Sequence, residues 1–118
     1  MTSTHHTIDY VELGAHDLAA SQRFYEQAFG WRFTAYGPSH AGIQSSDGEG
    51  EVGGIDATAS PRAGGPLVLL YSDDLDASAA SIIEAGGTIV REAYSFPGGR
   101  RLHFADPGGN ELGVWSST

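Results

Sequence analysis

Between residues 8 and 13 the chain alternates. Val11 and Leu13 fall on one side of an extended segment, and Ile8, Tyr10 and Glu12 on the other, the period of a half-buried strand. The period then changes. Leu18, Tyr25, Ala28 and Phe29 make one helical stripe, Asp17 stands where an N-cap is needed, and Gly30 stands where a left-handed residue ends a helix. Strands are predicted next at 31–36, 41–44 and 51–57. The same order returns: a strand at 67–71, a helix opened by Asp74 with the stripe Leu75, Ala79, Ile82 and Ile83, a stop at Gly87, and strands at 88–92, 100–105 and 111–116. Segments 45–50 and 58–66 are rich in Gly, Ser, Asp and Pro and read as loops.

Segments 12–33 and 69–90 also read alike. Asp17-Leu18 corresponds to Asp74-Leu75, Ala20-Ser21 to Ala77-Ser78, and Gly30 to Gly87, always 57 apart (74 − 17 and 87 − 30). Two capped helices can agree by accident, but one offset at both ends favours a repeated unit. The expectation is a β-α-β-β-β module used twice. It gives an α+β fold with curved mixed sheets and a single domain over 1–118, with module one at about 8–57 and module two at about 65–116.

Alternation sorts the later strands as well. Asp106-Pro107-Gly108-Gly109-Asn110 is a turn. A symmetric hairpin around it sets Phe104 opposite Leu112, His103 opposite Gly113 and Arg101 opposite Trp115. Val68, Leu70, Leu102, Phe104, Leu112 and Val114 then pack on the helices. Tyr10, Glu12, Tyr71, Arg101, His103 and Trp115 fall on the opposite face. Each has two open readings. Glu12 and Arg101 form a structural ion pair or meet a ligand. The three aromatics fill a core or line a pocket. His103 is a hydrogen-bonded structural residue or an acid/base group titrating near neutral pH. Phe96-Pro97-Gly98-Gly99-Arg100 is a mobile turn or an anion-binding loop.

Composition narrows the field. A chain of 118 residues can bury about two thirds of its surface, and its net charge of −9 argues against nucleic acid or an anionic membrane as partner. With no cysteine there is no disulfide, thiolate nucleophile or thiolate metal site. No apolar run reaches the ~20 residues of a membrane span, and the first residues lack the basic-then-apolar order of a signal peptide, so the expectation is a cytoplasmic protein.

Asp17-Leu18 with Phe24-Tyr25 and Phe29-Gly30-Trp31, then Asp74-Leu75-Asp76-Ala77, Ala85-Gly86-Gly87, Phe96-Pro97-Gly98 and Phe104-Ala105-Asp106-Pro107 with Gly109-Asn110, resemble the vicinal oxygen chelate superfamily. That superfamily holds glyoxalase I, bleomycin-resistance proteins and extradiol dioxygenases. The chain is most similar to its predicted lactoylglutathione-lyase-related group, whose last strand also tends to read as Gly113-Val114-Trp115-Ser116 does. The resemblance implies sheets curled around a cavity and a homodimer. In metal-dependent members it implies four ligands, which fall here at Tyr10, Asp56, Leu67 and Gly113. Leucine and glycine bring no side-chain donor, so no metal and no cofactor is expected. The ligand-binding set is then Tyr10, Glu12, Asp56, Tyr71, Arg101, His103, Gly113 and Trp115, in a hollow that Gly113 opens. The expected function is metal-independent binding of a small organic molecule. The alternatives are a lyase or isomerase using His103 or Glu12 as acid/base with Arg101 opposite the developing charge, and an antibiotic-sequestering protein whose acidity and aromatics suit a planar, cationic ligand.

Overall fold

Asp17 and Asp74 each accept a hydrogen bond from the amide three residues on, at 3.1 Å, and so open the two helices as expected. The computed structural model describes residues 5, 8–63 and 66–118; positions 64 and 65 of the predicted 58–66 loop lie outside the described residues. Module one runs β1 (Val11–Gly14), α1 (Leu18–Phe29), β2 (Phe33–Ala35), β3 (His40–Gln44) and β4 (Glu51–Asp56). Module two runs β5 (Leu69–Tyr71), α2 (Leu75–Glu84), β6 (Thr88–Phe96), β7 (Gly99–Ala105) and β8 (Glu111–Ser116). Each module builds a four-stranded mixed sheet, ordered β1-β4-β3-β2 in the first and β5-β8-β7-β6 in the second. The outer pairs β1–β4 and β5–β8 are parallel and the rest antiparallel. This is the α+β fold of two tandem modules that the pattern predicts.

One core takes one face of both sheets. Leu13, Ile43 and Ile55 from the first meet Leu102, Phe104, Leu112 and Val114 from the second, with Phe24 and Tyr25 of α1 and Leu75 and Ile82 of α2. Burial on this scale is the main source of stability in such a domain. Phe24, absent from the predicted stripe, is 1% exposed and stands 6.0 Å from the Phe104 ring. Ile83, placed in the stripe, is instead 60% exposed. Ile82 already fills the α2 seat, and the next residue turns about 100° away.

The helix stops differ. Gly30 takes the left-handed conformation as expected (φ 73°). In α2 that role belongs to Gly86 (φ 100°), not Gly87. Gly87 is needed for a different reason: a Cβ there would stand 2.7 Å from Phe24 Cε1 and 2.8 Å from Ile82 Cγ2. Strand β6 extends to Phe96, four residues past the expected end, and Pro97-Gly98 turn it tightly into β7.

The register of the last strands corrects one assignment. Glu12 pairs with Gly54 in the first sheet and Leu69 with Gly113 in the second. Glu12 and Leu69 are 57 apart (69 − 12), so the counterpart of Gly113 is Gly54, not Asp56. The β6–β7 hairpin is longer than β2–β3, and the turn before β8 is shorter than that before β4, so the helix offset does not survive to the last strands.

Candidate functional site

The faces turned away from the core carry the polar and aromatic groups. Since the core takes the other face of both sheets, these two faces lie on the outside of a single chain. Tyr36 is 54% exposed on the first and Tyr71 55% on the second.

On the first sheet the rows Gly14–Asp56–His40 and Glu12–Gly54–Gly42 run side by side. Gly54 and Gly42 form a floor without side chains. A Cβ on Gly54 would meet the Tyr10 hydroxyl and the His40 ring, and one on Gly42 would meet the Glu51 carboxylate. Over this floor Tyr10 Oη lies 3.3 Å from His40 Nε2, and the Tyr36 hydroxyl donates to Glu51. Glu12, His40 and Asp56 offer three donor atoms within 4.8 Å of one another. Asp56 accepts from the Thr58 hydroxyl at 2.7 Å and the Thr58 amide at 2.8 Å, which holds its carboxyl below the usual range. Tyr10 is pushed up by burial and then by Glu51 and Glu12; Tyr36 is pushed up chiefly by its bond to Glu51. This face is acidic.

The second sheet bears a different surface. Trp115 stands edge-on to Tyr71 at 5.0 Å and to Phe96 at 6.1 Å. The Arg101 guanidinium lies over Phe96 at 5.2 Å, and Arg91 over Tyr94 at 3.7 Å. His103 Nδ1 is 2.8 Å from Glu111 Oε2, and His103 Nε2 is 2.8 Å from Tyr94 Oη, which also accepts from Arg101 Nε–H. Pairs in the β7–β8 hairpin stand as predicted, with Arg101 opposite Trp115, His103 opposite Gly113 and Phe104 opposite Leu112.

The structure thus places the sequence-derived residues in two groups. Tyr10, Glu12 and Asp56 sit on the first sheet; Tyr71, Arg101, His103, Gly113 and Trp115 sit on the second. Among the described residues none of their hydrogen bonds or ring contacts crosses from one sheet to the other. Glu12 and Arg101 do not pair. Space above Gly113 is taken: a Cβ there would be 2.6 Å from Leu69 Cδ2 and 3.5 Å from Leu67 Cδ2. Sequence reasoning missed Tyr94, Glu111, His40, Tyr36 and Glu51. Glu111 sits two before Gly113 on a predicted strand, and alternation alone places it on this face. Tyr94 lay beyond the predicted end of its strand.

A cleft of about 780 Å³ opens on the core side, between the sheets. Phe29, Trp31, Ile43, Val68, Leu70 and Leu112 line it, and none of the sequence-derived site residues does.

Residues 7–114 match the family model of the Glyoxalase/Bleomycin resistance protein/Dioxygenase superfamily. The chain belongs to that family, which agrees with the vicinal oxygen chelate resemblance. It is 31% identical over 124 residues to the anthracycline biosynthesis protein DnrV of Streptomyces peucetius, covering 90% of this chain and 45% of that one. It is 27% identical to the putative glyoxylase CFP32 of Mycobacterium tuberculosis, covering 94% and 46%. The chain therefore spans about half the length of these relatives. Among solved structures, a glyoxalase-related enzyme from Fulvimarina pelagi matches with TM-score 0.77 at 25% identity, over 94% of this chain and 88% of that one. The antibiotic-binding protein TnmS3 from Streptomyces sp. CB03234 matches with TM-score 0.69 at 24% identity, over 100% and 99%.

The metal of metal-dependent members does not fit the positions where the resemblance puts its ligands. With the register corrected these are Tyr10, Gly54, Leu67 and Gly113. Three of the four have no donor side chain, and the fourth is a phenol raised above its ordinary range.

Proposed function

We propose that this protein binds a small, planar organic molecule on the open face of its second sheet, without a metal at the family's ligand positions. The observation that carries this reading is the aromatic wall of Tyr71, Trp115 and Phe96 beside Arg101. Aromatic area with a few convergent polar groups is the usual lining of a small-molecule site. Two arginines already lie over its ring faces, so this surface favours neutral or oxygen-rich anionic ligands. A cationic group on the same ligand is suited by the acidic first sheet. One face alone is too open to enclose a ligand. A second copy of the chain, setting its first sheet over this one, completes the pocket, and covers the exposed Tyr10, Tyr36, Leu69 and Tyr71. The antibiotic-binding neighbour supports sequestration as the role.

The test is a thermal-shift screen with planar aromatic antibiotics, on the wild type and on Trp115→Ala. Stabilisation that Trp115→Ala weakens supports this site. Stabilisation indifferent to Trp115 but abolished by Val68→Trp places the ligand in the 780 Å³ cleft instead. A second reading, a lyase or isomerase, is favoured by the Glu111–His103–Tyr94 contacts.

A further inference from the structure

With the His103 imidazole neutral, the hydrogen bonds around Tyr94 have one consistent direction. An ionised Glu111 only accepts, so His103 Nδ1 carries the proton between them. An arginine only donates, so Arg101 Nε–H points at the Tyr94 oxygen. The Tyr94 hydroxyl is then free to donate to the bare His103 Nε2. The chain reads Arg101 → Tyr94 → His103 → Glu111. It joins β6, β7 and β8 on the same open face as Trp115 and Tyr71.

Its assembly depends on an irregular strand. Arg91 stands opposite His103 and Tyr94 opposite Arg101: three residues advance on β6 while two advance on β7. The bulge puts Arg91 and Tyr94 on one face, where simple alternation would separate them. Bulges recur where a sheet re-aims a side chain next to a site.

We infer that Tyr94 is the acid/base group of this face, activated by His103 and Arg101, for a ligand with an ionisable hydroxyl or an acidic C–H beside a carbonyl. The inference rests on the proposed ligand site and deepens it. Tyr94 passes its proton to His103 Nε2: the O–H bond breaks and the N–H bond forms. The new imidazolium faces the Glu111 carboxylate, and the phenolate stays on Arg101 Nε–H. This oxygen then takes a proton from the ligand, whose electron pair remains on the ligand as an enolate or phenolate beside the Arg91 guanidinium. Glu111 and Arg101 are positioning residues: one fixes the imidazole tautomer, the other holds the oxygen.

An activated phenol is tested without the ligand, using benzenesulfonyl fluoride. Tyr94 Oη attacks sulfur, the S–F bond breaks, fluoride leaves, and the proton goes to His103. Peptide mapping should show Tyr94 labelled about tenfold or more faster than N-acetyltyrosinamide in the same solution, an unactivated phenol that no subunit contact covers. Tyr94→Phe removes that adduct. Glu111→Gln and His103→Gln slow it about tenfold with an unchanged circular dichroism spectrum. Labelling of Tyr94 no faster than N-acetyltyrosinamide overturns the inference, and so does a rate that neither substitution alters. Nitrogen-15 NMR provides an independent check: His103 must carry its proton on Nδ1, and protonation on Nε2 alone refutes the relay. A failed ligand screen with fast Tyr94 labelling counts against the site's occupant and not against the relay.

Discussion

The Tyr25 hydroxyl donates to Asp106 Oδ2 at 2.8 Å, and this buried bond ties the helix of module one to the last hairpin of module two. Oδ2 also accepts from Asn110 Nδ2, while Oδ1 takes the amides of Gly108, Gly109 and Asn110. Asn110 in turn donates to the Gly14 carbonyl at 2.7 Å, at the end of β1. One turn residue thus serves both the hairpin and the joint between modules. Tyr25→Phe should cost about 1–2 kcal/mol, because Asp106 keeps its other donors. Asp106→Ala should cost about 3 kcal/mol or more, because it strands several buried donors at once. Urea denaturation of the two variants measures both, and equal losses would refute the ranking.

Alkaline pH tests the same bond. Burial, and then the Asp106 carboxylate, push Tyr25 far above its ordinary value of 10.0. The folded state therefore keeps a proton that the unfolded state releases. Stability from this group is fully present below pH 10 and is lost as pH rises beyond it, at about 1.4 kcal/mol per pH unit. Tyr25→Phe should flatten that decline. The check is the unfolding midpoint in urea between pH 9 and 11, and parallel curves for the two proteins would contradict it.

Gly113→Leu separates filled from open space. The sequence suggests a hollow there, but Leu69 and Leu67 occupy it. The larger side chain must displace Leu69, whose far end is movable and 38% exposed, and it also crowds the Leu102 carbonyl, 3.1 Å from the new Cβ. A loss of about 1–3 kcal/mol is expected. Gly87→Ala should be at least as costly for one added carbon, because Phe24 and Ile82 are core residues with nowhere to move. Thermal melts of the pair decide the order.

Metal content is the next prediction. Protein supplied with Ni, Zn, Fe or Mn should hold none at the family's ligand positions and show no glyoxalase I activity, given the missing donors at Gly54, Leu67 and Gly113; any metal retained should be lost from Glu12→Gln and His40→Gln, which lie outside that set. Elemental analysis giving about one tightly held metal per chain that both substitutions leave in place would overturn it.

The last prediction concerns Trp115. If a planar ligand stacks on its ring, Trp115→Ala should weaken binding by about 1 kcal/mol or more and leave the melting temperature of the free protein within a few degrees. Calorimetric titration with whichever aromatic antibiotic the screen selects reads it, and unchanged affinity rules the ring out.

Local rules determined the modular fold. Asp17 and Asp74 cap helices because a carboxylate reaches amides three residues on. Gly30 ends one helix because it tolerates positive φ. The β7–β8 register follows from one turn and period-2 alternation. Each involves residues close in sequence, so the pattern carries it. Tertiary structure decided the rest. Which glycine of α2 is needed for packing depends on Phe24, more than 50 residues away. Gly54 rather than Asp56 answers Gly113 because strand pairing, not residue counting, fixes the register. Tyr94 joins His103 because two irregularities in β6 shift its register by two residues, setting it opposite Arg101 rather than Gly99, on a stretch of strand beyond the predicted end. Finally, the candidate residues divide between two outward faces because one core claims the opposite side of both sheets, and the sharing of a core is a property of packing that no single strand encodes.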